Sequence, residues 1–531
     1  MIAIRTKVSA DIGIGHIVRM QHLSKEFQSL DKKVFFILDY PIHKISPYIK
    51  DTNVIYLSDK KINSSQEEDA KKVIYLLKNK NVEMIVLDSY ELSIEWENII
   101  KDEGYKLAVI DDILRKHNCD FVIDQKYAKE NTSTQYDNLI SDKCIKLLGP
   151  RYTILSSLYQ KKEIIKSGTF NVLFSLGGGG DLSLIEKIIS KLSNSELILQ
   201  VVIGPLAKGK QKIRELAKKH KSVQLIENAQ TLYPYYKEAS LFVGALGTSF
   251  YECRTLKVPS ITFSMAQNQI KNNTELSHLG DYGHYLHIDL NELYMTNNMV
   301  SLILTISKQI DRFRELSNQA IINVDGLGAN HIASILCGYE EPIEINYETS
   351  LIPKENIEYI NSNLAIKKVK DNDINHYLYA RNLQKNRQNM TVNQPISKLE
   401  HYNWWFNNQR ESYLLIRNNE KKLYIWHQNI LFKKNDYLIG GWFVCDNDTS
   451  FEISAAALEW QLKATAKIYP NSIWVAIIKK TNKYVNLLNK YMGFIEVNKG
   501  DKEYFAIKKF FNNPSFNEYN FVKYIFKAQE I

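Results

Sequence analysis

Short apolar runs alternate with stretches of helical period from the N-terminus to about residue 330. The predicted strands are Ile2–Lys7, Lys33–Leu38, Val54–Leu57, Met84–Leu87, Leu107–Ile110 and Phe121–Ile123. A second series follows: Asn171–Ser175, Glu196–Ile203, Val223–Ile226, Leu241–Val243 and Ser260–Phe263. Helical patterns lie between them, among them Ile17–Leu30, Leu182–Leu192, Lys210–His220 and Phe250–Leu256. Strand–helix alternation at this spacing predicts βαβ units in parallel sheets. The series breaks near Gly149–Lys166, and two lobes, 1–160 and 161–337, fit the length better than one large sheet.

Residues 338–357 have no clear period, carry two prolines and several acids, and read as a linker. Beyond it the order changes. A helical region, Asp371–Arg387, and an aromatic segment, His401–Phe406, precede the strands Ser412–Arg417, Lys422–His427 and Tyr437–Val444. A long helix Ser454–Ile468, a strand Ser472–Ile478 and a helix Lys483–Met492 complete it. The expected architecture is therefore α/β, with two Rossmann-like lobes followed by an α+β domain over 358–531.

Composition narrows the function. The 531 residues carry 68 Lys and Arg against 59 Asp and Glu, a net charge of +9. These cations are dispersed rather than gathered on one stripe, which argues against a nucleic-acid partner. A mild positive potential still favours an anionic small substrate. The five cysteines, Cys119, Cys144, Cys253, Cys337 and Cys445, form no CxxC pair. This argues against a disulfide framework or zinc site and for a reducing compartment. The N-terminus is too polar for a signal peptide, and no window approaches about 18 apolar residues. A cytoplasmic protein without a membrane partner is expected; oligomeric state is left open.

Candidate chemistry gathers at strand ends. The first strand runs to Asp11 and Gly13-Ile14-Gly15-His16, where a helix begins. Glycines at such a turn let backbone N–H groups approach an anion. His16 is suited to take a proton near neutrality, and Arg19 lies one turn on. Asp88-Ser89-Tyr90 and Asp111-Asp112 each follow a strand, where open α/β sheets place ligand groups. The two aspartates suit either orientation of a substrate or a helix cap. In the second lobe Gly177–Gly180, with Gly177 and Gly178 first, precede Asp181. Gly247-Thr248-Ser249 open a helix carrying Glu252, a combination suited to a diphosphate and a ribose. Asn268-Gln269 supply amides at a further strand end.

Taken in order, Ile12 to Arg19, Asp88-Ser89-Tyr90, Ile110-Asp111-Asp112, Asn118-Cys119-Asp120, Gly149-Pro150-Arg151-Tyr152, Ser175 to Gly178, Gly244 to Glu252 and Asn268-Gln269 resemble the UDP-sugar hydrolases of the pseudaminic acid pathway. The resemblance spans about residues 1–335. It implies a GT-B-like pair of lobes and hydrolysis of UDP-2,4-diacetamido-2,4,6-trideoxy-β-L-altropyranose to UDP and free sugar. It makes His16 the base that activates water, with Asp11 and Tyr90 as further catalytic candidates. Gly13, Gly15, Arg19, Asp112 and the second-lobe residues above become substrate ligands, Glu252 for the ribose. That chemistry requires no metal. A GT-B glycosyltransferase using a UDP-sugar is the alternative.

Arg381-Asn382, Asn386-Arg387-Gln388-Asn389-Met390, Ile396-Ser397, Glu400-His401 and Trp404-Trp405-Phe406 form a second ordered series. With Asn482, Tyr491 and Gly493-Phe494 it resembles GNAT acetyltransferases acting on amino sugars, over about residues 363–510. This implies acetyl-CoA as cofactor and acetylation of a 4-amino group, with Asn389, His401, Asn482 and Tyr491 as candidates. The glycine-rich pyrophosphate loop of that family is missing: Cys445 to Ser450 is acidic and has no glycine. A non-catalytic sugar-binding or assembly module is therefore the other reading of this domain.

Overall fold

The computed structural model describes all residues except 8–14, 42–48, 50–52, 62–63, 128–130, 161–167, 230, 264–285, 289–295, 319–323, 344–356, 392, 447–448 and 527–531. The chain divides into two compact units, Met1–Leu351 and Ile352–Ile531.

The first lobe of unit 1 is built on β1 (Ile2–Thr6), β2 (Val34–Leu38), β3 (Val54–Tyr56), β4 (Met84–Asp88), β5 (Leu107–Ile110), β6 (Phe121–Asp124) and β7 (Ile145–Leu148). They form one parallel sheet in the order β3-β2-β1-β4-β5-β6-β7. β1 is buried at every position, yet its side chains divide by twos between the faces. Ile2 and Ile4 join Ile17, Met20 and Phe27 of the Gly15–Ser29 helix, whereas Ala3 joins Val73, Leu77 and Trp96 on the other side. Helices on both faces explain why the strands read as continuous apolar runs. Arg5, next on the Ala3 face, is fully buried and pairs with Asp39 and Asp69.

The second lobe repeats this topology with β8 (Asn171–Ser175), β10 (Ile198–Ile203), β12 (Val223–Glu227), β13 (Leu241–Ala245), β14 (Ser260–Phe263) and β15 (Leu286–Ile288). Its parallel order is β12-β10-β8-β13-β14-β15, the same permutation as β3-β2-β1-β4-β5-β6. A short parallel pair, β9 (Gly179–Asp181) with β11 (Leu206–Lys208), stands apart from that sheet. Two Rossmann-like lobes in a GT-B-like arrangement result. Each reverses strand direction of travel once, between β1 and β4 and between β8 and β13. The chain then returns: the Gly328–Leu336 helix packs Ala329, Ile332 and Ala333 into the first lobe's core beside Ile17 and Met20. Glu340 takes Arg151 at 3.0 Å and His331 at 2.9 Å, so the start of the expected linker stays packed on this unit.

Unit 2 is an α+β domain on a mixed sheet. Its strands are β16 (Ile357–Tyr359), β17 (Leu364–Lys368), β18 (Glu411–Arg417), β19 (Glu420–Phe432), β20 (Asn435–Val444), β21 (Ile473–Lys479), β22 (Ile495–Glu496) and β23 (Tyr519–Ile525). They are ordered β16-β17-β18-β19-β20-β21-β23-β22. The β20–β21 pair is parallel and touches only at Tyr437–Ile473 and Leu438–Trp474. Beyond those two pairs no ladder joins the strands. The Phe451–Ile468 helix covers one face through Leu458, Leu462 and Ala466, and the Lys502–Phe510 helix the other through Ala506 and Ile507. The helical region expected over Asp371–Arg387 is broken at Leu383, between helices Ile374–Asn382 and Gln384–Arg387. Asn386 causes the break: its amide donates to Ala380 O and Val444 O and accepts from Val444 N, tying the turn to β20.

The returning helix seats through Gly328, where a Cβ would lie 2.2 Å from the Thr153 carbonyl oxygen and 2.6 Å from its nitrogen. Gly328→Ala is expected to lower unfolding stability by about 1–3 kcal/mol, the usual range for overpacking against backbone. Urea unfolding of the full chain measures it.

Candidate functional site

In open α/β sheets ligand groups collect outside the carboxyl ends of the strands, where strand order reverses. In the first lobe that point lies between β1 and β4. His16 sits in the first turn of the helix that follows β1, and Asp88 is the last residue of β4. His16 Nδ1 donates to Asp88 Oδ1 at 2.7 Å. Arg19, one turn along the helix, donates Nε to Asp88 Oδ2 at 2.7 Å and Nη2 to Oδ1. The Asp88 carboxylate is fully buried; burial alone would raise its pKa, but Arg19 and His16 hold it well below the usual range. An ionised Asp88 only accepts hydrogen bonds, so the His16 Nδ1 that faces it carries a proton and Nε2 is the nitrogen left to face a substrate.

Two further groups complete the cluster. Tyr90 donates to Asp112 Oδ2 at 2.9 Å, and its ring meets His16 edge-on at 4.7 Å. Burial and the Asp112 charge push the Tyr90 hydroxyl far up, so it stays a neutral donor. Arg19 Nη1 reaches the same Asp112 oxygen at 3.4 Å. Asp112 Oδ1 is buried and has no hydrogen-bond partner among the described residues. It is a buried acceptor of the kind that a substrate N–H or O–H satisfies.

The two consecutive aspartates part company. Asp112 enters the site, whereas Asp111 turns into a buried network behind it. Asp111 accepts from Arg115 N at 2.9 Å and from Tyr136 OH at 3.0 Å, and faces His117 Nε2 at 3.1 Å. His117 Nδ1 pairs with Glu97 at 2.7 Å. Burial disfavours the charged imidazole, yet hydrogen bonds to Asp111 and Glu97 raise its pKa to about 9. Arg115 also donates to Ser89 O, Tyr90 O and Leu92 O at 3.0–3.1 Å, fastening the loop that carries Tyr90. Asp124, at the end of β6, is raised to about 7 by burial and by Asp112.

The second reversal, between β8 and β13, brings together the loop at Gly177 and Gly178 and the turn Gly247-Thr248-Ser249. Gly177 has φ +77° and Gly180 φ +107°, left-handed values that admit glycine readily. A Cβ on Gly204 would lie 2.4 Å from Gly177 O, so the loop rests directly on backbone. Glu252 lies one turn into the Thr248–Thr255 helix, beside the phenols of Tyr159 and Tyr236; burial raises its pKa against their hydrogen bonding. Tyr251 donates to Gln125 O at 3.1 Å, joining this helix to the segment that leaves β6. This contact marks a seam between the lobes beyond the carboxyl ends of β6 and β13.

Sequence reasoning thus names His16, Gly15, Arg19, Tyr90 and Asp112 in one lobe and Gly177, Gly178, Gly247, Thr248, Ser249 and Glu252 in the other, each group assembled at its reversal point. Asp11, Gly13, Asn268 and Gln269 lie outside the described residues. It quotes Asp88 within a motif but gives it no role, and it misses His117 and Arg115.

Unit 2 has its own cavity of about 920 Å³, opening where β20 and β21 diverge. Asn389, His401 and Asn482 line it; Tyr491 does not, lying two turns beyond the lining Tyr484 against Phe451 and 73% exposed. His401 is buried, donates Nε2 to Ile374 O at 2.9 Å, and is driven down to about 4 by burial. Asn482 caps its helix by accepting from Val485 N. In the acidic loop, Asp446 is paired with Lys422 at 2.9 Å.

No family model matches the chain. It is 23% identical over 286 residues to the UDP-2,4-diacetamido-2,4,6-trideoxy-beta-L-altropyranose hydrolase of Campylobacter jejuni, covering 52% of this chain and 96% of that protein. An uncharacterised protein of Methanocaldococcus jannaschii is 20% identical over 508 residues, covering 89% of this chain and 94% of its own length. Among solved structures, Acinetobacter baumannii MurG matches 64% of this chain and 99% of its own at 12% identity, with a TM-score of 0.46. No helix among the described residues is long and apolar enough to cross a membrane.

The His117 pair gives a signed pH dependence. Its folded pKa of about 9 exceeds the ordinary 6.5. Its contribution to stability is therefore complete below pH 6.5 and is lost as pH rises through about 9. Chemical unfolding of the wild type and His117→Gln at pH 6 and pH 9.5 is expected to show a gap that closes at the higher pH.

Proposed function

We propose that unit 1 hydrolyses a UDP-linked 2,4-diacetamido-2,4,6-trideoxy hexose to UDP and free sugar, a step of nonulosonic (pseudaminic) acid biosynthesis. The observation that carries this reading is His16 held by buried Asp88 and Arg19 at the first lobe's reversal point. The likeness to the Campylobacter hydrolase, over 286 residues, supports it. His16 Nε2 takes a proton from water as the water oxygen bonds to the anomeric carbon. The bond from that carbon to the UDP oxygen breaks, and UDP leaves with the electron pair. Asp88 keeps the imidazole in the tautomer this needs and stabilises the imidazolium that forms. Asp112 Oδ1 accepts from a sugar amide or hydroxyl. Across the seam, the backbone at Gly177, Gly178 and Gly247–Ser249 cradles the diphosphate, and Glu252 accepts from the ribose hydroxyls.

Unit 2 we read as a GNAT-like domain that acetylates the 4-amino precursor from acetyl-CoA before unit 1 removes UDP. The parting of β20 and β21 over a cavity lined by Asn389, His401 and Asn482 supports this. His401 is neutral at physiological pH, with one nitrogen committed to Ile374 O, so it serves to shape the cavity wall. The pairing of Asp446 with Lys422 removes one acidic charge from the path of a CoA pyrophosphate.

UDP release from UDP-2,4-diacetamido-2,4,6-trideoxy-β-L-altropyranose tests the first reading. Wild type is expected to release UDP, and His16→Ala and Asp88→Asn to lose about 10²–10⁴ in rate, the usual contribution of a positioned base. Release that needs a sugar acceptor would move the assignment to a glycosyltransferase; release untouched by His16→Ala would remove His16 as the base. For unit 2, the 4-amino UDP-sugar with acetyl-CoA is expected to yield free CoA thiol. Failure to release thiol at any substrate concentration would leave the domain a binding module.

A further inference from the structure

The fold of unit 1 brings two thiols into contact. Cys119 and Cys144 stand 25 residues apart in sequence, yet their sulfurs are 3.6 Å apart. Cys119 lies two residues before β6 and Cys144 one before β7, the last strand of the sheet. Phe121 pairs with Ile145 in parallel register, and Ile145 N donates to Asp120 O at 2.9 Å, so the ladder holds both turns side by side. Neither thiol belongs to the cluster around Asp88, but the Cys119 turn is joined to it. Asn118 N donates to Glu97 Oε2 at 2.7 Å, and His117 Nδ1 pairs with the other Glu97 oxygen. His117 also faces Asp111, which accepts from Arg115, and Arg115 fastens the Tyr90 loop.

Oxidants react with the thiolate, so the more acidic of two thiols leads. A hydrogen bond from Cys119 lowers the Cys144 pKa and the charged His117 adds to this, against burial and Asp120. The same bond, with burial, pushes the Cys119 thiol far up. Both cysteines are nearly covered, but Cys144 is flanked at the sheet edge by the exposed Lys143 and Ile145, a route for an oxidant as small as hydrogen peroxide. The Cys144 thiolate attacks a peroxide oxygen and the O–O bond breaks, giving the sulfenic acid and hydroxide. The Cys119 sulfur loses its proton and bonds to the Cys144 sulfur, and the sulfenic oxygen leaves as hydroxide, which takes up that proton. Two thiols and one hydrogen peroxide thus give one disulfide and two waters. A disulfide holds its sulfurs about 2.05 Å apart, so forming it draws the Cys119 turn away from its present contacts with Glu97. Misplacements of about 1 Å cost active sites up to about 10²-fold in rate.

We propose that Cys119 and Cys144 form a peroxide-sensitive dithiol whose reversible disulfide displaces the His117–Asn118 turn and so impairs the site at Asp88. The effect on turnover rests on the hydrolase reading of unit 1; the covalent change does not. Such a bond fits the reducing compartment expected from the cysteine pattern, where disulfides are transient and redox-sensing rather than structural.

The test uses the full chain, reduced and then exposed to a small excess of hydrogen peroxide, beside Cys144→Ser and Cys144→Ala, each first shown to melt like wild type. Remaining thiols are alkylated, and the digested protein is read by mass spectrometry. Wild type is expected to yield the Cys119 and Cys144 peptides joined and lighter by two hydrogens, and dithiothreitol to separate them. Oxidised wild type is expected to release UDP from the UDP-sugar about threefold or more slowly, with recovery in dithiothreitol, whereas both variants keep their rate through the same treatment. Thiols that stay open to alkylation, or oxygen added to one cysteine without a cross-link, would overturn the proposal. A cross-link that leaves UDP release unchanged would overturn the coupling to the site and leave the hydrolase reading intact. If reduced wild type releases no UDP, the hydrolase reading fails by itself, and unfolding decides the proposal. A cross-link that then narrows the His117-dependent gap between pH 6 and pH 9.5 upholds it; one that leaves the gap unchanged overturns it.

Discussion

One buried carboxylate organises the first lobe's site. Asp88 ends β4, receives His16 and Arg19 from the neighbouring helix, and is isolated from water. An unpaired carboxylate there would be untenable; with two partners it fixes the helix to the sheet and the imidazole to one tautomer. Arg19 extends the same network to Asp112, and Asp112 to Tyr90. Four side chains from three strand ends are thereby set by the need to neutralise a single charge. The Asp111–His117–Glu97 network repeats that logic one layer deeper, and Arg115 carries its rigidity to the Tyr90 loop.

Much of this was legible in the pattern of residues. Central strands such as Leu107–Ile110, Asn171–Ser175 and Ser260–Phe263 appear at their expected bounds, because strands covered by helices on both faces are apolar throughout and stand out. Short or half-exposed strands did not stand out. β7 begins exposed at Ile145, β9 is Gly-Gly-Asp, and β22 is two residues long. The strands β17 and β23, although longer, flank segments without a clear period. The break at Leu383 has no glycine or proline to announce it; it is imposed by Asn386 bonding to Val444, 58 residues away.

Site residues follow the same division. Glycines and His16 mark a strand–helix turn locally, so sequence finds them. Asp88 acquires its role from a partner 72 residues distant, and His117 from carboxylates 20 residues before it and 6 before it. Such roles are created by topology, which places β1 beside β4 and β4 beside β5. Unit 2 shows the converse: Tyr491, though part of a recognisable motif, lies exposed beyond the end of the cavity, while Arg410 acquires its setting between Trp404 and Trp426 only once β18, β19 and the Lys398–Asn407 helix are assembled.

The Gly328–Leu336 helix has a consequence for how this polypeptide can be divided. Because it completes the first lobe's core with residues encoded after the whole second lobe, the second lobe is an insertion in the first. A gene cut at the apparent boundary near residue 160 would strip the first lobe of an entire helix and expose Ile17 and Met20. The same arrangement joins the lobes by two crossings of the chain, so that neither lobe could be exchanged by a single cut in the sequence.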